Sequence, residues 1–373
     1  MFKDRKPCAK SAIATISKSL FCLAFGLGFS GAAKAQVVKI LPERPYLEPA
    51  AAGPSANFDI LVRNDSDRPM EVSGVSVFIA DKSGREVLER RVDGNGVAPS
   101  VKTLALAPLK PGEARLVFNP FPVIPADIAA QAVRVEVELS PEDGKGAPVT
   151  GSAQAKFRAP PAAALKLMLP LAGKVWVWDG HDLMAHHRRW DYSNPDIVGF
   201  GFSSNAMRYS YDLVRVDDQG RRVIGDPARN ENHLSFGLPV RAPADGVVVE
   251  VENGQPDNGK FDPSTFRKHP NLILGNHVVI RHGEAMFSIL GHLKEGSVTV
   301  KAGDAVKAGE TIAAVGMSGT ALFPHLHYQL MDGPTFSSEG VPSAFVGLTR
   351  VRGAARSPLP SGAIDSGDVV ESH

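Results

Sequence analysis

The chemistry-bearing residues of this chain are histidines, and they are unevenly spread. Eleven occur in 373 residues, the first is His181, and all but His373 fall between His181 and His327. The sharpest group is Pro324-His325-Leu326-His327-Tyr328. On a strand, residues two apart point to the same face, so His325 and His327 project side by side. That suits one metal ligand beside one acid–base histidine, although structural or solvated histidines also form such pairs. His292 lies near the end of an apolar run, Phe287 to Leu293. A third group, Ala185-His186-His187-Arg188-Arg189-Trp190-Asp191, holds two adjacent histidines, with His187 and Asp191 at i, i+4.

The two cysteines, Cys8 and Cys22, lie near the N-terminus within a predicted signal segment. The mature chain then has no disulfide, thiol nucleophile or thiolate metal site. Any metal must be held by His, Asp or Glu, which suit zinc well. Gly316-Met317-Ser318-Gly319 lacks the G-x-S-x-G context of a nucleophile elbow, and no phosphate-binding P-loop occurs.

The elements that must position these histidines read as short strands. Val247 to Val251 and Phe287 to Leu293 read as strands, Gly275 to Gly283 as another strand and turn, and glycines punctuate them. Gly303 and Gly309 are turn positions that need positive φ. Residues 253–270, rich in Gly, Asp, Asn and Pro, read as a long loop that shapes access to a site. Upstream, Phe58 to Asn64, Val72 to Ala80, Ala114 to Phe118 and Val133 to Leu139 alternate in the manner of strands, with Asp81-Lys82-Ser83-Gly84 as a hairpin turn. This region, 36–158, predicts an immunoglobulin-like β-sandwich. It has no Cys or His and reads as a spacer or docking module. Residues 159–165 read as a proline-stiffened linker, and 350–373 as a flexible tail.

The overall charge, 41 Lys+Arg against 40 Asp+Glu, offers no basic surface for nucleic acid. Lys3, Arg5, Lys6, Lys10 and Lys18 precede an apolar run from Leu20 to Phe29, and Ala33-Lys34-Ala35 follows. That order predicts a secretory signal over 1–35, cleaved after Ala35, and a periplasmic or extracellular protein. The apolar run is about half of the ~20 residues a membrane span needs.

The ordered set G-x-P-V-x-A-x-x-x-G-V from Gly237, G-N-x-V-x-I-x-H from Gly275, G-H-L at His292, V-x-x-G-x-x-V-x-x-G from Val300, G-x-S-G-T from Gly316 and H-L-H at His325 resembles the lysostaphin/LytM-type zinc metallopeptidases. The resemblance runs from Asp212 to about Asp332. It implies a compact, mostly antiparallel β domain, a Zn2+ cofactor, and a peptide substrate, typically a cross-link or stem of peptidoglycan. It makes His327 a zinc ligand and His325 and His292 the catalytic histidines.

One position departs from that pattern. The family's other two ligands are usually a His and an Asp at i, i+4 just before the G-x-P-V strand. Asp212 fits the second, on an expected strand from Met207 to Val214, but Arg208 stands at the first. A guanidinium has no lone pair for a metal. Residues 213–236 also separate Asp212 from Gly237, longer than the usual connection. Some members with a longer lead-in bring the histidine from upstream, so the expected ligand set is His187, Asp212 and His327. His186 is the next choice, a His187–Asp191 pair the one after, and a solvated basic loop at 186–189 the plainer alternative. His282 is expected to orient a ligand or close a turn, and His277 and His233 to be structural or to line the groove.

The sequence therefore predicts an all-β protein: the sandwich at 36–158, then a metallopeptidase domain at 166–349. Its expected activity is zinc-dependent hydrolysis of peptidoglycan peptide bonds. The alternative is a degenerate relative that binds or activates another cell-wall hydrolase. A carrier-type domain is disfavoured, because the modified lysine such domains need at a hairpin tip is absent. The N-terminal module is expected to place the enzyme on the wall, mask its groove or meet a protein partner.

Overall fold

A computed structural model describes residues 37–372 apart from 51, 98, 105–106, 162–164, 200–201, 267 and 361. The expected signal segment and its cleavage site lie outside the described residues, as does His373. Strands dominate, and every ladder between them is antiparallel.

The N-terminal region holds β1 (Val37–Leu41), β2 (Asp59–Arg63), β3 (Met70–Ala80), β4 (Glu86–Asp93), β5 (Ala114–Phe118), β6 (Ala132–Pro141) and β7 (Val149–Lys156). They form a sheet of order β1-β2-β5 and another of order β4-β3-β6-β7. Alternation explains why the sheets face each other. In β6 the residues Val133, Val135, Val137 and Leu139 are buried while those between them are half-exposed. They share one core with Ile40, Ile60, Val62 and Val117 of the other sheet. Each such side chain contributes about 1.5–3 kcal/mol by leaving water.

The C-terminal region adds β8 (Gly173–Asp179), β9 (Tyr211–Arg215), β10 (Pro239–Arg241), β11 (Gly246–Glu252), β12 (Asn276–Arg281), β13 (Phe287–Leu293), β14 (Ala305–Val306), β15 (Thr311–Ala314), β16 (Leu326–Met331), β17 (Gly340–Val341), β18 (Thr349–Arg352), β19 (Ala355–Pro358) and β20 (Val369–Ser372). Ten of them run in the order β14-β11-β12-β13-β16-β9-β8-β20-β18-β19, and β17 also pairs with β16. One face of this sheet builds the main core from Val175 and Val177, Tyr211 and Leu213, and Leu326, Tyr328 and Leu330. The intervening residues, Asp212 and His327 among them, must then point to the other face.

Two expectations need correction. The region expected as a flexible tail, 350–373, carries strands among its described residues: β18, β19 and β20 extend the main sheet, and β20 pairs with β8 through Val370 and Val175. Short apolar residues spaced by Gly and Ser hide the strand pattern in that sequence. Second, the strand around Asp212 begins at Tyr211, because Met207–Ser210 forms a turn held by Ser210 N–H to the Met207 carbonyl at 3.0 Å. In the structure Leu116 of β5 shares an apolar cluster with Tyr192, Phe202 and Met207, and Asp59 of β2 makes buried ion pairs with Arg188 and Arg208.

Candidate metal centre

Strand register assembles the site. Asp212 of β9 stands directly opposite His327 of β16 on one side and Asp179 of β8 on the other, while His327 faces Gly291 of β13. Four neighbouring strands thus line up Asp179, Asp212, His327 and the residue before His292. The Asp212 Oδ1 atom is the hub. His327 Nδ1 lies 3.2 Å away, His325 Nε2 3.4 Å and His187 Nε2 3.6 Å. His187, Asp212 and His327 each offer one ligand atom within 4.8 Å of the others, and all three residues are buried. Donors bound to one tetrahedral metal at ~2.0–2.2 Å sit roughly 3.3–3.6 Å apart. Two imidazoles and a carboxylate at this spacing fit a divalent transition metal and leave a fourth position free.

The bonds on the far side of each ring decide which nitrogen faces the hub. His327 Nε2 meets Gln329 Oε1 at 2.8 Å, so a proton there leaves the Nδ1 lone pair towards Asp212. His187 is turned the other way. Its Nδ1 is 2.9 Å from Asp179 Oδ2, close but poorly aligned for a hydrogen bond, and Nε2 faces Asp212. The Asn205 amide donates to the His187 carbonyl at 3.1 Å. His186 lies beside His187, with ring centres 3.9 Å apart and the rings tilted by 39°, and also reaches Asp179, at 3.0 Å, but its side chain is 68% exposed. Asp191 accepts from Ser193 within its own turn and, among the described residues, joins no cluster that could hold a metal.

Two further histidines flank the hub. His325 donates from Nδ1 to the Phe323 carbonyl at 2.7 Å, and His292 from Nδ1 to the Ser318 carbonyl at 2.9 Å. Their rings are 4.8 Å apart, and His292 is 5.8 Å from the His327 ring. Among the described residues His292 is the only non-glycine with positive φ, 57°. Strict alternation would turn it away from the face that Gly291 shares with His327. The left-handed backbone returns its ring to that face, at a cost of ~1–3 kcal/mol that the surroundings must offset.

Those surroundings explain the G-x-S-G-T motif. Ser318 Oγ donates to the Leu293 carbonyl at 2.8 Å and accepts from Asn276 N–H at 2.9 Å. Gly319, at φ 67°, presses its backbone on Gly275, where an added Cβ would lie 2.2 Å from the Gly275 nitrogen. The expected turn glycines Gly303 and Gly309 have φ of 95° and 84°.

The cluster is electrostatically uneven. Burial alone would push the Asp212 carboxyl up, but His325 and His187 outweigh it and hold it well below the usual carboxylate range. Burial and the neighbouring His325 and His327 drive His292 well below its ordinary value. His325 is buried too, yet the Asp212 charge raises it. A cavity of about 380 Å³ opens over the site, lined by Trp178, Leu322, Phe323 and Phe336 as well as the histidines.

His282, His277 and His233 hold the fold. His282 bridges the Asp245 carbonyl and Ser288, and His277 meets Glu250 at 3.1 Å. His233 bonds the Pro227 carbonyl and stacks on Phe323 at the cavity wall. Sequence reasoning missed Asp179 and Gln329. The alternation of β16 could have flagged Gln329, two residues after His327 on the same face. Arg208, at the position where a histidine ligand was expected, is fully buried and donates to Asp59 at 2.6 Å and to Glu339.

Residues 232–338 match the family model described as Peptidase family M23. The chain carries an M23 peptidase domain. The matched stretch includes His292, His325 and His327 but neither His187 nor Asp212. A Vibrio cholerae protein named peptidoglycan DD-endopeptidase ShyA is 35% identical over 154 residues, covering 38% of this chain and 31% of that protein. An uncharacterized metalloprotease of Haemophilus influenzae is 36% identical over 96 residues, covering 26% of this chain and 16% of its own length. The chain thus spans less than a third of these relatives. Among solved structures, the catalytic domain of the M23 protein EnpA from Enterococcus faecalis aligns at 28% identity with a TM-score of 0.23, covering 35% of this chain and 87% of that one. No helix among the described residues is long and apolar enough to cross a membrane.

Proposed function

We propose that this chain is a zinc-dependent endopeptidase that hydrolyses peptide bonds of peptidoglycan in the periplasm or outside the cell. The observation that carries the reading is the convergence of His187, Asp212 and His327 beside His292 and His325, at the floor of an open cavity. The M23 match and the peptidoglycan endopeptidase relative support the substrate class.

In this reading His187 Nε2, Asp212 Oδ1 and His327 Nδ1 hold the metal. When bound, zinc supplies a water acidified towards a pKa of ~7 and a Lewis acid for the scissile carbonyl. The chain's own groups do the rest. His325 and His292 both tie Nδ1–H to a backbone carbonyl, which fixes each ring and leaves Nε2 to exchange a proton. A protonated Nε2 also donates a hydrogen bond to the oxyanion of the tetrahedral intermediate. The apolar side chains of Trp178, Leu322, Phe323 and Phe336 limit water around the peptide.

The test is elemental analysis of the purified protein followed by digestion of isolated peptidoglycan, with fragments resolved by mass. About one zinc per chain and release of cleaved cross-links or stems support the proposal. A protein without zinc after metal is added back, or one that holds zinc and cuts nothing, favours the degenerate binding or activating role instead.

A further inference from the structure

His187 reaches the metal centre from a loop, not from the sheet that carries Asp212 and His327. Residues 180–194 contain no strand. A ligand so placed must be anchored by side chains, because loop backbone retains conformational freedom that blurs its position.

The anchors come from the N-terminal region and lie on both sides of His187. Glu48 meets His181 Nε2 at 2.7 Å, and the Asn57 amide donates to the His181 carbonyl at 3.3 Å. Arg188, the residue after His187, is fully buried. It donates to Asp59 Oδ1 at 2.6 Å, to the Phe58 carbonyl at 2.6 Å and to Asn57 Oδ1 at 3.2 Å. The second oxygen of Asp59 accepts from Arg208 at 2.6 Å and from the Tyr192 hydroxyl at 3.0 Å. Glu339 then takes the rest of the Arg208 fork. Two carboxylates and two guanidiniums close a buried network of balanced charge, and Asp59 is the member that joins both arginines.

We propose that Asp59 is a positioning residue for the metal centre: the N-terminal region fixes His187 through the Asp59–Arg188 pair, with Arg208 bracing it from the turn before β9. The inference rests on His187 being a ligand, as argued above. It gives Arg208 a use at a position where it cannot bind metal. It also makes Glu48, Asn57 and Asp59 part of the site rather than of a detachable module.

The experiment uses the full chain and two variants, Asp59→Asn and Arg188→Lys. Asp59→Asn keeps the shape but removes the shared charge. Arg188→Lys keeps the charge but loses the fork. Hydrogen exchange is followed by mass spectrometry on metal-free protein, and zinc affinity by chelator competition. Exchange across residues 181–192 should rise at least ~10-fold while β12 and β16 stay protected. Zinc affinity should fall by ~10–100-fold, as when a ligand loses its outer support. Wild-type loop exchange in both folded variants overturns the proposal. So does loss of protection throughout both variants, since the network then holds the whole fold rather than the loop. If the unaltered chain binds no zinc, the peptidase reading fails on its own, and loop exchange still decides the role of Asp59.

Discussion

Asp212 and His327 are directly opposed partners in the β9–β16 ladder, with Oδ1 3.2 Å from Nδ1. A one-residue slip of either strand in that ladder would send its own site residue to the opposite face and into the apolar core. The same register that buries Tyr211, Leu213, Leu326 and Tyr328 therefore sets the carboxylate beside the imidazole. The pair is as rigid as the sheet, whereas His187 depends on its loop.

The first prediction follows from that difference. Wild-type protein should carry about one zinc per chain, and His187→Ala, Asp212→Ala and His327→Ala should each purify without it. His186→Ala should keep it, because its ring is mostly exposed and lies beyond Asp179. Elemental analysis of the four variants checks this. Zinc retained in His187→Ala and lost in His186→Ala would exchange their roles.

His292 and His325 should separate activity from metal binding. His292→Ala and His325→Ala should each lower kcat by ~10²–10⁴-fold, the usual worth of a positioned acid or base. Zinc content should remain at the wild-type level in both. Peptide-release kinetics beside metal analysis reads the two effects apart. A variant that loses zinc along with activity would show that its histidine supports the ligand set.

Asp179 lies 2.9 Å behind His187, on the side away from Asp212. A carboxylate there faces the far ring nitrogen, and its charge strengthens the basicity of the metal-facing nitrogen. Asp179→Asn should weaken zinc affinity by ~10–100-fold without unfolding the protein. Chelator competition measures the shift, and thermal unfolding in the absence of metal supplies the control.

The parts of this architecture legible in sequence are those fixed by local periodicity. The alternation of Leu326, Tyr328 and Leu330 against His327 and Gln329 makes a strand with one polar face, and the His-x-His spacing puts two rings together. Asp81 to Gly84 makes a hairpin turn between β3 and β4. What stayed hidden needs partners far apart in the chain. Asp59 looks like an ordinary polar residue at the head of a strand, and its arginines stand 129 and 149 positions away. Asp179 gains meaning only from its register with Asp212. The strands of 350–373 were hidden because Val369 and Val370 are short cues among Gly and Ser, and their pairing partner β8 lies far upstream. His292 has a backbone conformation that no side-chain pattern announces.

The buried His181–Glu48 pair gives a pH dependence outside the metal centre. Burial opposes the imidazolium of His181, but the Glu48 carboxylate 2.7 Å away overcomes it, helped by Asp365 and Asp182, and raises His181 above its ordinary value. Asp365 is itself raised, first by burial. A basic group with a raised folded value binds its proton more tightly when folded. Its stabilisation is complete below the unfolded histidine pKa of ~6.5 and is lost as pH climbs through the higher folded value. The raised Asp365 acts in the same sense at lower pH, so it does not cancel the trend. Thermal unfolding of metal-free protein should show stability falling across the window above pH ~6.5. Glu48→Gln should flatten that slope and lower stability most on its acid side, where the charged pair is intact. An identical slope in Glu48→Gln would assign the dependence to other groups.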